Sequence, residues 1–263
     1  GDAGNDISCD PCKTMQGAFL HATVTGQTIS VRPGLYDGSG LVPRAGGIQI
    51  QAVNSTTGVT LDCRGSRCFS TNSTGKGQHF FPTLIDGLRI INGNAEMGGC
   101  MFIEKVVSSI TMKNLHFENC TASTWGGAVH ASRSLEVVLS NVAFVANSAS
   151  EGGGALSMSA TSGSIITSNF THNQAPRGGG MAMIPVSYGQ DVDDSTEDRL
   201  AKAYITLDRT NFVENYAKRF QDVGSRASGA SENCDGGGVF VHSGDITMIG
   251  CSLASNTAQR YGG

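Results

Sequence analysis

One phrase recurs along this chain and constrains its fold more than any other feature. An aromatic or aliphatic residue is followed three positions later by asparagine, two positions further by alanine, and then by paired glycines. The aromatic position holds Ile90, Phe117, Phe144, Phe170, Phe212 and Leu253. The asparagine position holds Gly93, Cys120, Asn147, Asn173, Asn215 and Asn256. The alanine position holds Ala95, Ala122, Ala149, Ala175, Ala217 and Ala258.

The spacing of this phrase indicates a solenoid. The first four alanines recur about every 27 residues, and the last two intervals are about 15 residues longer, which predicts insertions near residues 184–202 and 223–235. The apolar residues of each repeat alternate, as in Ile110-Thr-Met112 and Val137-Val-Leu139, and this is the period of a strand and not of a helix. We therefore predict an all-β fold in which each repeat forms one rung of a parallel β-helix.

Stacked rungs explain the repeated positions. Identical residues in successive rungs lie above one another, so the phenylalanines form an inward stack and the asparagines an amide ladder at a turn. The paired glycines, such as Gly179-Gly180, supply a corner that opens the next rung. The predicted stack and ladder comprise Phe117, Phe144, Phe170, Phe212, Asn147, Asn173, Asn215 and Asn256.

The first third of the chain is less regular. The stretch "GQTISVRPGLYDGSG" predicts a strand, a Pro-Gly turn and a loop, while "GGIQIQAV" and "GVTLDCRG" predict further strands. We expect residues 1–83 to form a cap and irregular rungs, and residues 84–263 to form regular rungs of the same continuous domain. Atypical terminal repeats are the norm in solenoids.

The repeated motifs carry a resemblance. "GGAV" at Gly126–Val129 and "GGAL" at Gly153–Leu156 alternate with "FVAN", "FTHN" and "FVEN". These resemble the GGA[ILV] and FxxN repeats of chlamydial polymorphic membrane proteins and of related extracellular proteins of algae and protists. The likeness covers about residues 84–263, and the earlier part is similar to the opening rungs of pectin-lyase-like β-helices. It implies a right-handed β-helix exposed at a cell surface as an adhesin-like passenger.

The cysteines indicate an oxidising compartment. Their number is even, as a disulfide framework requires, although it leaves many pairings open. Four local pairs are the simplest expectation: Cys9–Cys12, Cys63–Cys68, Cys100–Cys120 and Cys234–Cys251. A zinc site built from the first two pairs is the alternative, but they are far apart in sequence and no histidine sits beside either.

Sequons and composition agree with secretion. Asparagines in N-x-Ser/Thr sequons are candidate glycosylation sites, namely Asn54, Asn72, Asn119 and Asn169. The net charge is −4 and no Lys/Arg-rich run occurs, which argues against nucleic acid as a partner. No apolar run reaches the length of a membrane span. We therefore predict a secreted or cell-surface glycoprotein without a transmembrane segment.

Catalytic chemistry is not apparent in the sequence. The densest acidic cluster, which we expect to be a solvated loop or else a weak Ca²⁺ site, comprises Asp191, Asp193, Asp194, Glu197 and Asp198. His130 and His242 follow glycine pairs in registers that differ by one, which predicts opposite faces, while His116 should face outward and His172 lie at a turn. We expect no catalytic residue, no bound metal and no cofactor.

These observations favour a non-catalytic structural or adhesive protein, for example a subunit of an extracellular fibre, wall or hair-like appendage. Its expected partners are copies of itself or other extracellular proteins, bound through rung ends and inserted loops. Gly262-Gly263 would open another rung, so we expect further rungs or a covering partner there.

Two alternatives remain open. One is a polysaccharide lyase or hydrolase, since β-helices also host such enzymes. The other is a glycan-binding module that presents an aromatic row before the glycine pairs, unless these side chains merely pack at the corner: Trp125, Phe220 and Tyr261.

Overall fold

A computed structural model describes residues 12–53, 58–73, 79–185, 203–218 and 235–259. Within these ranges the chain is all-β apart from one short helix, and its strands form four parallel sheets and one antiparallel hairpin. The predictions of an all-β fold and of parallel, stacked strands are confirmed. This is the arrangement of a β-solenoid.

The helix α1 (Met15–His21) was not predicted. The hydroxyl oxygen of Thr14 accepts a hydrogen bond from the backbone N–H of Gly17 and thereby caps its first turn. Met15 and Phe19, four positions apart, are buried, and the ring of Phe19 lies 6.0 Å from that of Phe69. One apolar stripe therefore attaches the helix to the first rungs.

Two sheets run the length of the stack. Sheet 1 contains, in spatial order, β1 (Thr28–Val31), β3 (Gln49–Ala52), β8 (Leu84–Asp86), β12 (Ser109–Lys113), β16 (Glu136–Ser140), β20 (Ser162–Ile166), β24 (Tyr204–Asp208) and β28 (Asp245–Ile249). Sheet 2 contains β2 (Gly34–Asp37), β4 (Val59–Asp62), β9 (Arg89–Ile91), β13 (His116–Glu118), β17 (Ala143–Val145), β21 (Asn169–Thr171), β25 (Asn211–Val213) and β29 (Ser252–Ala254).

Two shorter sheets complete each rung. Sheet 3 contains β10 (Asn94–Ala95), β14 (Thr121–Ala122), β18 (Ser148–Ala149), β22 (Gln174–Ala175), β26 (Tyr216–Ala217) and β30 (Thr257–Ala258). Sheet 4 contains β5 (Phe69–Ser70), β11 (Met101–Glu104), β15 (Val129–Ser132), β19 (Leu156–Ser159), β23 (Met181–Ile184) and β27 (Val239–Val241). The hairpin pairs β6 (Asn72–Ser73) with β7 (His79–Phe80).

The first rungs differ from the sequence prediction in one place. β1, β3 and β4 lie where strands were expected, but Gly34–Asp37, expected to be a loop, is the strand β2. Gly34 at the turn donates its backbone N–H to the carbonyl of Gly58, and β2 then pairs with β4 over its full length. Pairing with the next rung therefore outweighs the local turn signals of this stretch. Sheets 1 and 2 both continue past residue 84.

The interior is filled by columns of like residues. Phe117, Phe144, Phe170 and Phe212 pair in register and are fully buried. Their ring centroids are 5.1, 4.6 and 4.5 Å apart, with interplanar angles of 20° or less. A second inward column in sheet 1 contains Ile85, Met112, Leu139, Ile165 and Leu207. Each buried side chain contributes on the order of 1.5–3 kcal/mol.

The asparagine column is a hydrogen-bonded ladder at the turn between sheets 2 and 3. Nδ2 of Asn147 donates to Oδ1 of Asn173 at 3.0 Å, and the amides of Asn173 and Asn215 repeat this contact to the next rung. Each Oδ1 also accepts the backbone N–H of the asparagine below it. Each Nδ2 donates in addition to a phenylalanine carbonyl, as from Asn173 to Phe144. The ladder thus satisfies polar groups that would otherwise be buried without partners.

The glycine corner requires left-handed backbone at one position of each rung. Gly126, Gly153, Gly178 and Gly236 have φ between 62° and 68°, a region that favours glycine. The assignment of Gly179-Gly180 to this corner is wrong by one residue. The backbone bridge between Gly152 and Arg177 sets Gly178 above Gly153, because this rung reaches its corner one residue earlier.

Candidate functional site

The most unusual surface in the described ranges is the outer face of sheet 4. In β15, β19 and β23 the inward residues join the core, as expected, but the outward residues are buried as well. These outward residues are His130, Ser132, Ser157, Ser159, Ala182 and Ile184. Outward positions on a two-sided sheet are normally solvated, so a buried row that contains a histidine and three serines needs a physical account.

His130 is a buried titratable group of this face. Its ring is stacked on Phe102, with centroids 5.8 Å apart and planes inclined by 9°. The guanidinium of Arg67 also lies over Phe102, 4.9 Å from the ring centroid, and is held by the carbonyls of Met97 and Gly98. Burial, together with the positive charges of Arg67 and Arg133, lowers the pKa of His130 to about 4. The imidazole is therefore neutral at physiological pH.

Two atoms of this face have hydrogen-bonding capacity that no protein group uses. His130 Nδ1 and Ser157 Oγ are both buried and have no hydrogen-bond partner. The two residues are register partners on β15 and β19 but are not hydrogen-bonded to each other, so they do not form an activated serine–histidine pair.

A column of stacked residues borders this face at the glycine corner. Backbone bridges stack Trp125, Gly152, Arg177 and Asp235 in successive rungs. The guanidinium of Arg177 lies 5.8 Å from the centroid of the Trp125 ring. Gly152 makes this contact possible, since a Cβ there would lie 2.2 Å from the indole. Oδ1 of Asp235 is buried without a hydrogen-bond partner.

The one described member of the predicted aromatic row, Trp125, is not exposed. Trp125 is only 2% exposed and packs with Ala182 and Ile184 of the outer face of sheet 4. A sugar ring cannot stack on a side chain that is already covered, so the glycan-binding role of Trp125 is wrong and its packing alternative is correct. Phe220 and Tyr261 lie outside the described residues.

The histidines are distributed differently from the prediction. His130 is aligned with Phe240 through the intervening rungs, and His242 lies two residues beyond Phe240, hence on the same outer face and not the opposite one. The expected placements of two others are correct. His116 faces outward and pairs with Glu118 at 3.1 Å, and His172 lies at a turn with φ of 56°.

Two of the expected disulfides are confirmed. Cys63–Cys68 and Cys100–Cys120 are bonded, with Cα atoms 4.9 and 5.7 Å apart, so Cys63 and Cys68 cannot serve as zinc thiolates. Cys12 is disulfide-bonded, and Cys9 lies outside the described residues.

The fourth expected disulfide is wrong. Cys251 is a free thiol, whose sulfur contacts the carbonyls of Leu207 and Ile249. Its expected partner, Cys234, lies outside the described residues.

The remaining candidate positions fall into two groups. The acidic cluster at Asp191, Asp193, Asp194, Glu197 and Asp198 lies outside the described residues, as do Asn54 and the side chain of Asn72. Asn119 and Asn169 are exposed, and Oδ1 of Asn169 accepts a hydrogen bond from Asn211. Glycosylation of these asparagines stays a prediction. Among the described residues, no group of three or more His, Cys, Asp or Glu side chains could hold a metal ion.

Sequence reasoning did not identify the buried outer face. The only trace of this face in the sequence is a polar residue three positions after the second glycine of each motif. This residue is His130 in "GGAVH" and Ser157 in "GGALS". Polar residues in one column, at a position where the sheet alternation points outward, do not reveal that the column is covered.

Within the described part of the chain, no helix has the length and apolarity needed to cross a bilayer. Comparisons of the chain with protein-family models, with curated proteins and with solved structures find no match.

Proposed function

We propose that the protein is a non-catalytic extracellular scaffold, a rigid β-helical rod with a structural or adhesive role. The observation that carries this proposal is the way one corner of the stack is locked. Between sheets 2 and 3, Cys120 takes the position that asparagine holds in the rungs above, and it is cross-linked to Cys100. The amide ladder continues the same column from Asn147 to Asn256. Such continuous reinforcement serves a protein whose task is to keep its shape.

The oxidised cysteines support an extracellular location. Two fully buried disulfides among the described residues belong to a chain that folds where thiols are oxidised, because cytosolic reductants keep structural cysteines reduced. The exposed sequon residues Asn119 and Asn169 are compatible with glycosylation on the secretory route. Possible partners are further copies of the chain, other extracellular proteins, or surface glycans.

The finer form of the fold belongs to the same proposal: a right-handed β-helix of about 27 residues per rung, akin to polymorphic membrane proteins, with insertions near residues 184–202 and 223–235. The spacing of residues that are hydrogen-bonded in the amide ladder supports this rung length. Asn147 follows Cys120 by 27 residues, and Asn173 follows Asn147 by 26. The next two partners follow at 42 and 41 residues, longer by about half a rung.

Three experiments test this function. An antibody against the oxidised, folded chain should label intact source cells without permeabilisation, and electron microscopy of native material should show the chain in ordered fibres or a surface layer. Uronate polymers incubated with the purified chain, with and without Ca²⁺, should release no product. Saturable product release by a monodisperse monomer would establish the polysaccharide lyase alternative and overturn the scaffold proposal.

A further inference from the structure

Four cysteine sulfurs meet in the core of the early rungs, and we call this group the sulfur cluster: Cys63, Cys68, Cys100 and Cys120. All four residues are fully buried. Cys63 follows β4, Cys100 precedes β11, and Cys120 lies between β13 and β14. The sulfurs of Cys63 and Cys100, which belong to different disulfides, are 3.6 Å apart. This is the separation of atoms in van der Waals contact, and no other group lies between them.

Two glycines make room for the cluster. A Cβ at Gly93 would lie 2.5 Å from the sulfur of Cys100, and a Cβ at Gly38 would lie 2.6 Å from the sulfur of Cys68. Gly93 occupies the ladder position where later rungs carry asparagine, so an asparagine side chain in this rung would collide with the Cys100–Cys120 disulfide. The sequence therefore keeps this space open for sulfur.

We propose that the sulfur cluster is a thiol–disulfide exchange unit with a second pairing, Cys63–Cys100. A small-molecule thiolate that attacks the sulfur of Cys68 forms a mixed disulfide with Cys68, breaks the Cys63–Cys68 bond and releases the Cys63 thiolate. That thiolate attacks the sulfur of Cys100, forms Cys63–Cys100 and breaks Cys100–Cys120. Cys120 leaves as a thiolate and takes up a proton. The second step exchanges one disulfide for another and needs no oxidant or further reductant.

The exchange would replace a cross-link within one rung by a cross-link between rungs. Cys63–Cys68 closes a loop of five residues within one rung, whereas Cys63–Cys100 would join positions 37 residues apart in successive rungs. The external thiol reaches Cys68 when its turn opens, and Arg64 and Gly65 of that turn are exposed. One attack at Cys68 would thus create a covalent cross-link between two successive rungs.

The test uses the full chain with Cys68→Ser and Cys63→Ser as matched variants, both carrying Cys251→Ser to remove the thiol of that residue. Each is folded under oxidising conditions at about pH 8.5, where thiolates form. Free thiols are then alkylated, and disulfides are mapped by mass spectrometry. In Cys68→Ser we expect Cys63–Cys100 as the major pairing with Cys120 alkylated. In Cys63→Ser, Cys100–Cys120 should remain intact.

Other outcomes would overturn the proposal. Alkylated Cys63 beside an intact Cys100–Cys120 bond in Cys68→Ser would show that the contact does not support exchange. Equal rearrangement in both variants would show that exchange is not specific to Cys63. If Cys68→Ser does not fold, the unsubstituted chain is treated with a limiting dithiol and alkylated. Accumulation of Cys63–Cys100 then supports the proposal, and an intact Cys100–Cys120 bond refutes it.

Discussion

The amide nitrogen of Asn173 donates to Oδ1 of Asn215 at 3.0 Å, and the backbone N–H of Asn173 donates to the same oxygen at 3.0 Å. One side-chain carbonyl thus receives two donors from the rung below, inside a turn where Asn173 is fully buried. The rung above is positioned by an amide and not by apolar contact alone.

Asn173→Ala should therefore destabilise the protein strongly. The substitution removes the acceptor of the Asn147 backbone N–H and the donor to the Phe144 carbonyl, and each orphaned buried group costs about 1–3 kcal/mol. We expect the free energy of unfolding, measured by chemical denaturation, to fall by about 2–4 kcal/mol. Asn169→Ala, on the exposed face of the same rung, is the control. Equal losses in both variants would contradict a special role of the ladder.

The phenylalanine stack gives a second stability prediction. Phe170 lies between two other rings, with centroids at 4.6 and 4.5 Å, so Phe170→Ala opens a cavity that rigid neighbouring rungs cannot close. The expected loss is about 3–5 kcal/mol, with a smaller loss for Phe170→Leu. Thr171→Ala, whose side chain is on the outer face, should change the unfolding midpoint little. A loss for Phe170→Ala below that for Thr171→Ala would refute the role of the stack.

The two disulfides should contribute differently to the free energy of unfolding. Loss of Cys100–Cys120, which closes a loop of 20 residues, should cost about 3 kcal/mol in the loop-entropy description, and loss of the five-residue Cys63–Cys68 loop about 2 kcal/mol. The paired variants Cys100→Ala/Cys120→Ala and Cys63→Ala/Cys68→Ala are compared by thermal unfolding. The reverse order of stability would show that loop closure does not govern these bonds.

His130 predicts a dependence of stability on pH. Its folded pKa of about 4 lies below the ordinary value of 6.5, so between these values the unfolded chain binds a proton that the folded chain does not. The contribution of the neutral His130 to the free energy of unfolding is fully present above about pH 6.5. It is lost as the pH falls towards 4, by on the order of 1–3 kcal/mol. His130→Phe preserves an aromatic ring beside Phe102 and should flatten this part of the profile.

The difference between the stability–pH profiles of the unsubstituted chain and of His130→Phe isolates the contribution of His130. Glu118, whose pKa is lowered first by the hydrogen bond from Arg89, contributes equally to both proteins. An unchanged slope in His130→Phe would contradict a buried neutral imidazole.

Gly152→Ala offers a spectroscopic prediction. The chain has one tryptophan, so its indole fluorescence reports on Trp125 alone. A Cβ at Gly152 would lie 2.2 Å from the indole ring, and the ring must leave its buried site beside Arg177. We expect a red shift of the emission maximum and stronger quenching by acrylamide. Gly46→Ala, where the backbone is not left-handed and the added Cβ would make an ordinary contact of 3.4 Å with the ring of Phe80, should retain the original spectrum.

The stacked columns could be predicted from the sequence because a parallel stack brings the same repeat position into contact in every rung. Phe144 and Phe170 align in the sequence for the same reason that they pair in sheet 2. The Cys100–Cys120 bond also followed from the spacing, since both residues belong to one rung. Regular repetition turns a long-range contact into a pattern visible along the chain.

The rest could not be predicted because it depends on neighbours outside the repeat. The helix α1 is shorter than two turns and is held by contact with Phe69, so its own sequence is a weak signal. The shift of the corner to Gly178 involves three consecutive glycines that are locally equivalent. The burial of His130 and Ser157 depends on what lies over the sheet, and strand alternation alone gives no information about that.

The amide ladder also gives the molecule a direction. From Cys120, whose backbone N–H donates to Asn147, to Asn215, which donates to Asn256, every bond to an asparagine Oδ1 of this column has its donor in the rung of lower residue numbers and its acceptor in the rung of higher residue numbers. An opposed pair of such columns would bring donor against donor or acceptor against acceptor. Any assembly that extends this hydrogen-bonded column from molecule to molecule must therefore be polar, with all subunits oriented alike and with chemically distinct growing ends.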